Sequence, residues 1–215
     1  MKGRMTTAST LAGAALAIAL ATTVTTVLAH EEHKQVDTKA AAAASSVRVR
    51  FDDAVLTDQT GKARKLKSDV LADRIIVMDF VYTTCTTICP ILSANMARVQ
   101  DGLDAGARNE VTLVTISVDP ARDTPARLRE YGAKFGARPG WVWLTGPTGR
   151  VNEVLRGFDA YSPNFEDHPP QLLVGDTRTG EWTRFFGFAD PKAVLARVAE
   201  LRAAREKPAH AGQKH

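Results

Sequence analysis

The stretch VMDFVYTTCTTICPIL, residues 77–92, contains both cysteines of the 215-residue chain, Cys85 and Cys89. The residues leading into it, RIIVMDFVY (74–82), form a nearly unbroken apolar run, the pattern of a strand buried on both faces. After Pro90 the pattern changes. Leu92, Met96, Val99 and Leu103 recur every three or four residues, which predicts a helix with one apolar stripe. Pro90 suits a first helical turn because its φ is already helical and its missing N–H is not needed there. A strand therefore runs into a helix, and the two cysteines sit at the junction.

Two side chains at i and i+4 on a helix share a face, with Cβ atoms roughly 5–6 Å apart. Two sulfurs so placed can hold one small ion, or form a disulfide after modest adjustment. The positive end of the helix favours ionisation of at least one thiol. A purely stabilising bridge gains little here, because a loop this short restrains little chain entropy. Metal binding and thiol–disulfide exchange remain open. The C-x-x-x-C spacing differs from the C-x-x-C of thiol oxidoreductases, and thiolates are soft ligands that suit Cu(I).

Two thiolates leave copper short of a ligand, which directs attention to histidine. Of five histidines, His30 and His33 lie near the N-terminus, and His210 and His215 near the C-terminus. His168, in NFEDHPPQLLVGD, is the one within the region of regular pattern. It precedes an apolar run, at a strand-end loop of the kind that builds sites in α/β sheets. A lone histidine is more often a hydrogen-bonded surface residue, so its claim rests on company with the thiols.

The rest of the chain alternates. VRVRF (47–51), EVTLVTISVD (110–119) and GWVWLTG (140–146) read as strands. Leu128, Tyr131 and Phe135 mark one helix; Val151, Val154, Leu155 and Phe158 mark another; Val194, Val198 and Leu201 mark the last. QLLVGD and EWTRFFGF flank TRTG, a hairpin turn signal. Strands alternating with helices, closed by a hairpin, predict an α/β thioredoxin-like sandwich: a central mixed sheet flanked by helices over residues 47–205.

The first 29 residues combine Lys2 and Arg4 with an apolar run and the small residues VLA before His30, which predicts a signal peptide or a membrane anchor. Residues 30–46 read as a flexible spacer and 206–215 as a disordered tail. The domain is then extracytoplasmic, in a bacterial periplasm or on the outer face of the membrane. Cleavage after Ala29 would leave His30 with a free amine beside its imidazole, a weak copper-collecting end. Of 28 basic residues, 26 remain after Lys2 and Arg4 are set aside, against 24 acids. That balance, with no basic stripe, argues against nucleic acid.

YTTCTTICP, TISVDPARDTP and EDHPPQLLVGD, in that order and with LTDQTGK (56–62) before them, resemble the SCO/SenC family of copper-handling assembly factors. The resemblance covers roughly residues 47–205. It implies copper held by Cys85, Cys89 and His168. It also implies a partner: the copper-site subunit of cytochrome c oxidase, or another exported copper protein, which receives copper or has its cysteines reduced. A thiol reductant partner and a membrane tether are compatible with this. The family often has a small or hydroxyl residue after the histidine. Here Pro169 follows, which restrains His168 to an extended backbone.

Four further readings complete the set. Asp79, an acid in an apolar strand six residues before Cys85, is either a proton acceptor for the thiols or a strand acid satisfied by its neighbours. Asp119 and Asp123 are expected at a turn, with Asp123 or Thr124 capping the helix that Pro125 begins. Trp141 and Trp143 share a strand face, as core or as a partner surface. Met96 belongs to the helix stripe, as core rather than ligand.

Overall fold

The computed structural model describes residues 44–207. Eight strands are present: β1 (Ala44–Val47), β2 (Val55–Asp58), β3 (Ala63–Lys65), β4 (Ile75–Val81), β5 (Val111–Ser117), β6 (Trp141–Thr145), β7 (Gln171–Asp176) and β8 (Glu181–Phe186). They form one sheet in the order β1-β8-β7-β4-β5-β6-β2-β3. β4 is central, parallel to β5 and antiparallel to β7. The helices are α1 (Ile88–Gly102), α2 (Ala105–Glu110), α3 (Pro125–Lys134), α4 (Thr148–Gly157) and α5 (Pro191–Glu206). The sheet is mixed and flanked by helices, as the thioredoxin-like reading requires.

All seven residues of β4 are buried, which is why its sequence reads as continuous rather than alternating. Ile75, Val77 and Val81 join one core with Met96 and Val99 of α1, Leu128 and Tyr131 of α3, and Val194 and Val198 of α5. Ile76, Met78 and Phe80 join a second core on the opposite face, with Val151, Val154 and Leu155 of α4. Both cysteines belong to the first core. The β7–β8 hairpin closes as predicted: Gly180 adopts φ +76° and donates to the Asp176 carbonyl at 2.8 Å.

Some expectations shift. The strand expected over 47–51 is β1 at Ala44–Val47, so residues 44–46, expected in the spacer, pair with β8. The polar Arg48 and Arg50 do not supply the pairing that their alternation suggested. β2, β3 and the short helical turn Leu66–Leu71 have no apolar periodicity long enough to announce them. α2 is a six-residue helix without a stripe, held by the Asp104 carboxylate accepting from the Ala107 N–H at 2.6 Å. The expectations for residues 1–43 and 208–215, His30, His33, His210 and His215 included, lie outside the described residues. No helix among the described residues is long and apolar enough to cross a membrane.

Candidate metal centre

Cys85 lies in the loop after β4, and Cys89 in the first turn of α1. Thr87 stands at the cap position of α1, but its side chain makes no capping bond. The Cys85 sulfur takes that part: the Cys89 N–H donates to Cys85 Sγ at 3.3 Å. Thr87 Oγ1 lies 3.8 Å from the same sulfur. An open helix end donates best to an anion, so the geometry favours the Cys85 thiolate. Both cysteines are free and buried.

The two thiols differ. Burial raises the Cys85 pKa, but hydrogen bonds from Cys89, Thr87 and Tyr82 outweigh it and bring the thiol down to about 6. At Cys89, burial pushes the thiol up, and the neighbouring Cys85 and Asp79 charges push it further. One sulfur is ready as a thiolate near neutrality, and the other holds its proton.

The loop that carries Cys85 is fixed from the TISVDPARDTP segment. The buried Asp123 carboxylate accepts from the Thr83 N–H at 3.2 Å, from the Thr83 hydroxyl at 2.5 Å and from the Ser117 hydroxyl at 2.6 Å. Burial nevertheless raises its pKa, with Ser117 and Thr83 opposing. Asp123 is therefore a tether for the thiol loop, and Thr124 alone caps α3, accepting from the Arg127 N–H at 3.3 Å. Asp119 forms the turn: its carbonyl accepts from Arg122 and Asp123, and its carboxylate pairs with Arg122 at 3.0 Å. The tether was missed because Thr83 and Asp123 are 40 residues apart and neither is unusual locally.

His168 sits at the start of the β7 approach, with extended backbone (φ −62°, ψ 139°) as Pro169 requires. Its ring is buried. Nδ1 lies 2.8 Å from the Phe165 carbonyl and Nε2 lies 3.2 Å from the Phe80 carbonyl. Each ring nitrogen is within donating distance of a carbonyl, and the tautomer decides which one donates. With the proton on Nδ1, the Nε2 lone pair is the one a metal would take. A ring held by Nδ1–H to a backbone carbonyl is the usual support for a histidine that binds through Nε2. The chemistry of the donor set, two thiols and one imidazole, thus fits a soft cation. The three groups do not yet converge: among the described residues no three His, Cys, Asp or Glu side chains are spaced to hold an ion.

Asp79 is fully buried on the thiol-bearing face. It accepts from the Thr115 hydroxyl, which itself accepts from Trp141 Nε1 at 2.9 Å. Burial drives the Asp79 pKa up to about 7, against the opposing effect of Thr115. Asp79 Oδ2, Ser93 Oγ and Tyr131 Oη are buried without a hydrogen-bond partner. Asp79 raises the Cys89 pKa through its charge, yet makes no hydrogen bond to either sulfur. Trp141 and Trp143 stack with ring centroids 4.9 Å apart and are both 1% exposed, so they are core and not a partner surface. Met96 is likewise core.

The profile of the SCO1/SenC family matches residues 40–202. The human mitochondrial SCO1 homolog is 31% identical over 150 residues, covering 66% of this chain and 48% of that protein. SenC of Rhodobacter capsulatus is 32% identical over 153 residues, covering 67% of this chain and 65% of SenC. The chain spans about half the length of the first curated relatives it matches. Among solved structures, Bradyrhizobium japonicum ScoI with copper bound superposes with a TM-score of 0.57 at 29% identity, covering 68% of this chain and 96% of that one. With a match that spans the sheet, the thiol junction and the histidine loop together, the chain belongs to the SCO1/SenC family.

Proposed function

We propose that the protein binds copper through Cys85, Cys89 and His168, and passes it to, or reduces the cysteines of, the binuclear copper site of cytochrome c oxidase. The observation that carries the reading is the donor set. One sulfur accepts at a helix end that favours its thiolate, the second lies one turn away, and an imidazole with Nδ1 against the Phe165 carbonyl can offer Nε2 to a ligand once it leaves the Phe80 carbonyl. Copper, as cargo, would bring a soft one-electron centre to these donors. The chain's own part is to keep Cys85 ionised, to hold the loop by Asp123, and to bring His168 from the Phe80 carbonyl to the sulfurs. Membership of a family with copper-bound structures supports this. The receiving partner is the oxidase copper-site subunit or another exported copper protein. The segment 1–29 supports an extracytoplasmic location.

A second reading has its own observation. A thiol pair with one pKa lowered to about 6 and the other raised is also arranged for disulfide exchange, with Cys85 attacking and Cys89 resolving. In that reading Asp79 takes or returns the Cys89 proton. An anaerobic Cu(I) titration of the full-length reduced protein against a competing chelator separates the two. Tight one-to-one binding, abolished by Cys85→Ser with Cys89→Ser, supports copper handling. Weak binding, with an accessible Cys85–Cys89 reduction potential, would leave thiol exchange as the function.

A further inference from the structure

The exposed large apolar side chains are not scattered. Among the described residues they are Val55, Ile88, Ile91, Phe186 and Phe188, between 38% and 51% exposed. All five lie at the end of the sheet where β4 finishes. α1 opens there with Ile88. β8 runs in the direction of β4, because both are antiparallel to β7, so Phe186 ends β8 there too. β2 is antiparallel to β6, which runs with β5 and β4, so Val55 opens β2 at the same end, on the far side of the sheet. Single exposed apolar residues are ordinary, but a set confined to one end marks a contact surface. Four of the five are strapped around the thiol junction. Ile88 and Ile91 share a face of α1. One turn on, Asn95 Nδ2 donates to the Ala189 carbonyl at 3.1 Å, which ties the residue after Phe188 to that helix face. Gly187 adopts φ +70° and donates its N–H to the Pro170 carbonyl at 2.8 Å, which ties the same loop to the histidine segment. The chain also joins the sheet at this end: β1 begins at Ala44, opposite Phe185, and the apolar run within residues 11–29 precedes it in sequence.

We propose that this apolar band is a membrane-contact face: the thiol end of the domain rests on a lipid surface through Ile88, Ile91, Phe186 and Phe188. The inference rests on residues 1–29 being an anchor, and is independent of the copper reading. Lipid is the occupant because of where the chain joins. An anchor upstream of Ala44 holds the sheet by the end that carries the band, so the apolar side chains are the ones kept beside the bilayer. The opposite end suits water instead, with Arg178 paired to Asp73 and Arg202 to Glu110. Apolar side chains held this way enter the boundary between headgroups and acyl chains without crossing it. The contact bears on both sides of the candidate metal centre. Ile88 and Ile91 flank Cys89 and Pro90 in the first turn of α1, and the loop that carries Phe188 is bonded to Pro170, two residues after His168. The thiols and the histidine are thereby kept at the membrane plane, where a partner in the same membrane is met.

The test uses the full-length chain in vesicles of phosphatidylethanolamine and phosphatidylglycerol whose acyl chains carry bromine, which quenches tryptophan on contact. Phe188→Trp places a probe in the band, and Thr179→Trp places one in the exposed β7–β8 turn at the other end. The native Trp141, Trp143 and Trp182 are buried and give a constant background. The expected result is a blue shift and loss of fluorescence in Phe188→Trp, greatest with bromine about 5–10 Å below the headgroups, and neither in Thr179→Trp. Adding Ile88→Ser and Ile91→Ser should reduce the Phe188→Trp quenching. If Phe188→Trp does not fold, Phe186→Trp reads the same contact. Flotation of wild type with the vesicles reports the anchor separately. Protein that floats while the band probe is quenched no more than Thr179→Trp overturns the contact and leaves the anchor standing. Protein that does not float removes the reason for choosing lipid and also overturns the proposal. Band-probe emission that ignores lipid but shifts with protein concentration would assign the band to a second copy of the chain, again overturning it.

Discussion

The two ends of the central sheet are closed in opposite ways. At the end where β4 begins, charges meet charges. Arg205 holds Asp176 by two hydrogen bonds, at 2.7 and 2.6 Å, with both side chains buried, and Arg178 holds Asp73 at 2.7 and 3.0 Å. Burial pushes the Asp176 pKa up, but Arg205 and the neighbouring N–H groups more than reverse it. At the end where β4 finishes, a sulfur caps a helix, and an imidazole lies against two backbone carbonyls with the Tyr82 ring edge-on to it. The first end is held by paired charges. The second gathers two thiols and an imidazole, groups that can bind an ion or exchange a bond. The difference teaches where this fold places stability and where it places reactivity.

The largest expected effect breaks the closed end. Arg205→Ala leaves the Asp176 carboxylate buried and unpaired, and should cost about 3–5 kcal/mol in denaturant unfolding. The alkylation rate of Cys85 should be unchanged in the folded protein, because the ion pair and the thiols lie at opposite ends of β4. A changed Cys85 rate would mean that the two ends are coupled.

Asp123→Ala comes next and acts on both stability and chemistry. It strips the acceptor from the Thr83 N–H, the Thr83 hydroxyl and the Ser117 hydroxyl, for about 1–3 kcal/mol. Unlike Arg205→Ala, it should also change Cys85 alkylation, since it frees the loop that aims the sulfur. Destabilisation with an unaltered Cys85 would reduce Asp123 to a core residue.

The smallest effect is at Asp79. Its folded pKa lies near 7 and its ordinary value is 3.8. Between those values the folded chain holds a proton that the unfolded chain has released. Stability therefore falls as pH rises through that window. Between pH 5 and pH 6, wild type should lose at most about 1.4 kcal/mol more than Asp79→Asn. Parallel pH profiles of unfolding would place the Asp79 proton elsewhere.

Much of this contrast was legible in the sequence, and the illegible part has a common cause. Local patterns announced β4, α1 and the cysteines between them, because an apolar run, a helical stripe and a proline act over a few residues. The Asp123–Thr83 tether spans 40 residues and the contact of His168 with Phe80 spans 88. Neither leaves a periodic trace. Asp123 was noticed within TISVDPARDTP, but a carboxylate before Thr-Pro also suits a helix cap, and Thr124 fills that role instead. Tyr82 was hidden for another reason: at the end of an apolar strand an aromatic residue reads as core, and its edge contact with the His168 ring forms only when the chain folds. The short β2 and β3 were missed because a few partly polar residues carry no period.

The central claim is that Cys85, Cys89 and His168 close on one copper ion. X-ray absorption of the Cu(I)-loaded, full-length protein, beside His168→Ala, tests it most directly. The account predicts two sulfur neighbours and one imidazole nitrogen in the wild type, with the nitrogen lost in the variant. A sulfur-only spectrum that is the same in both proteins would contradict it.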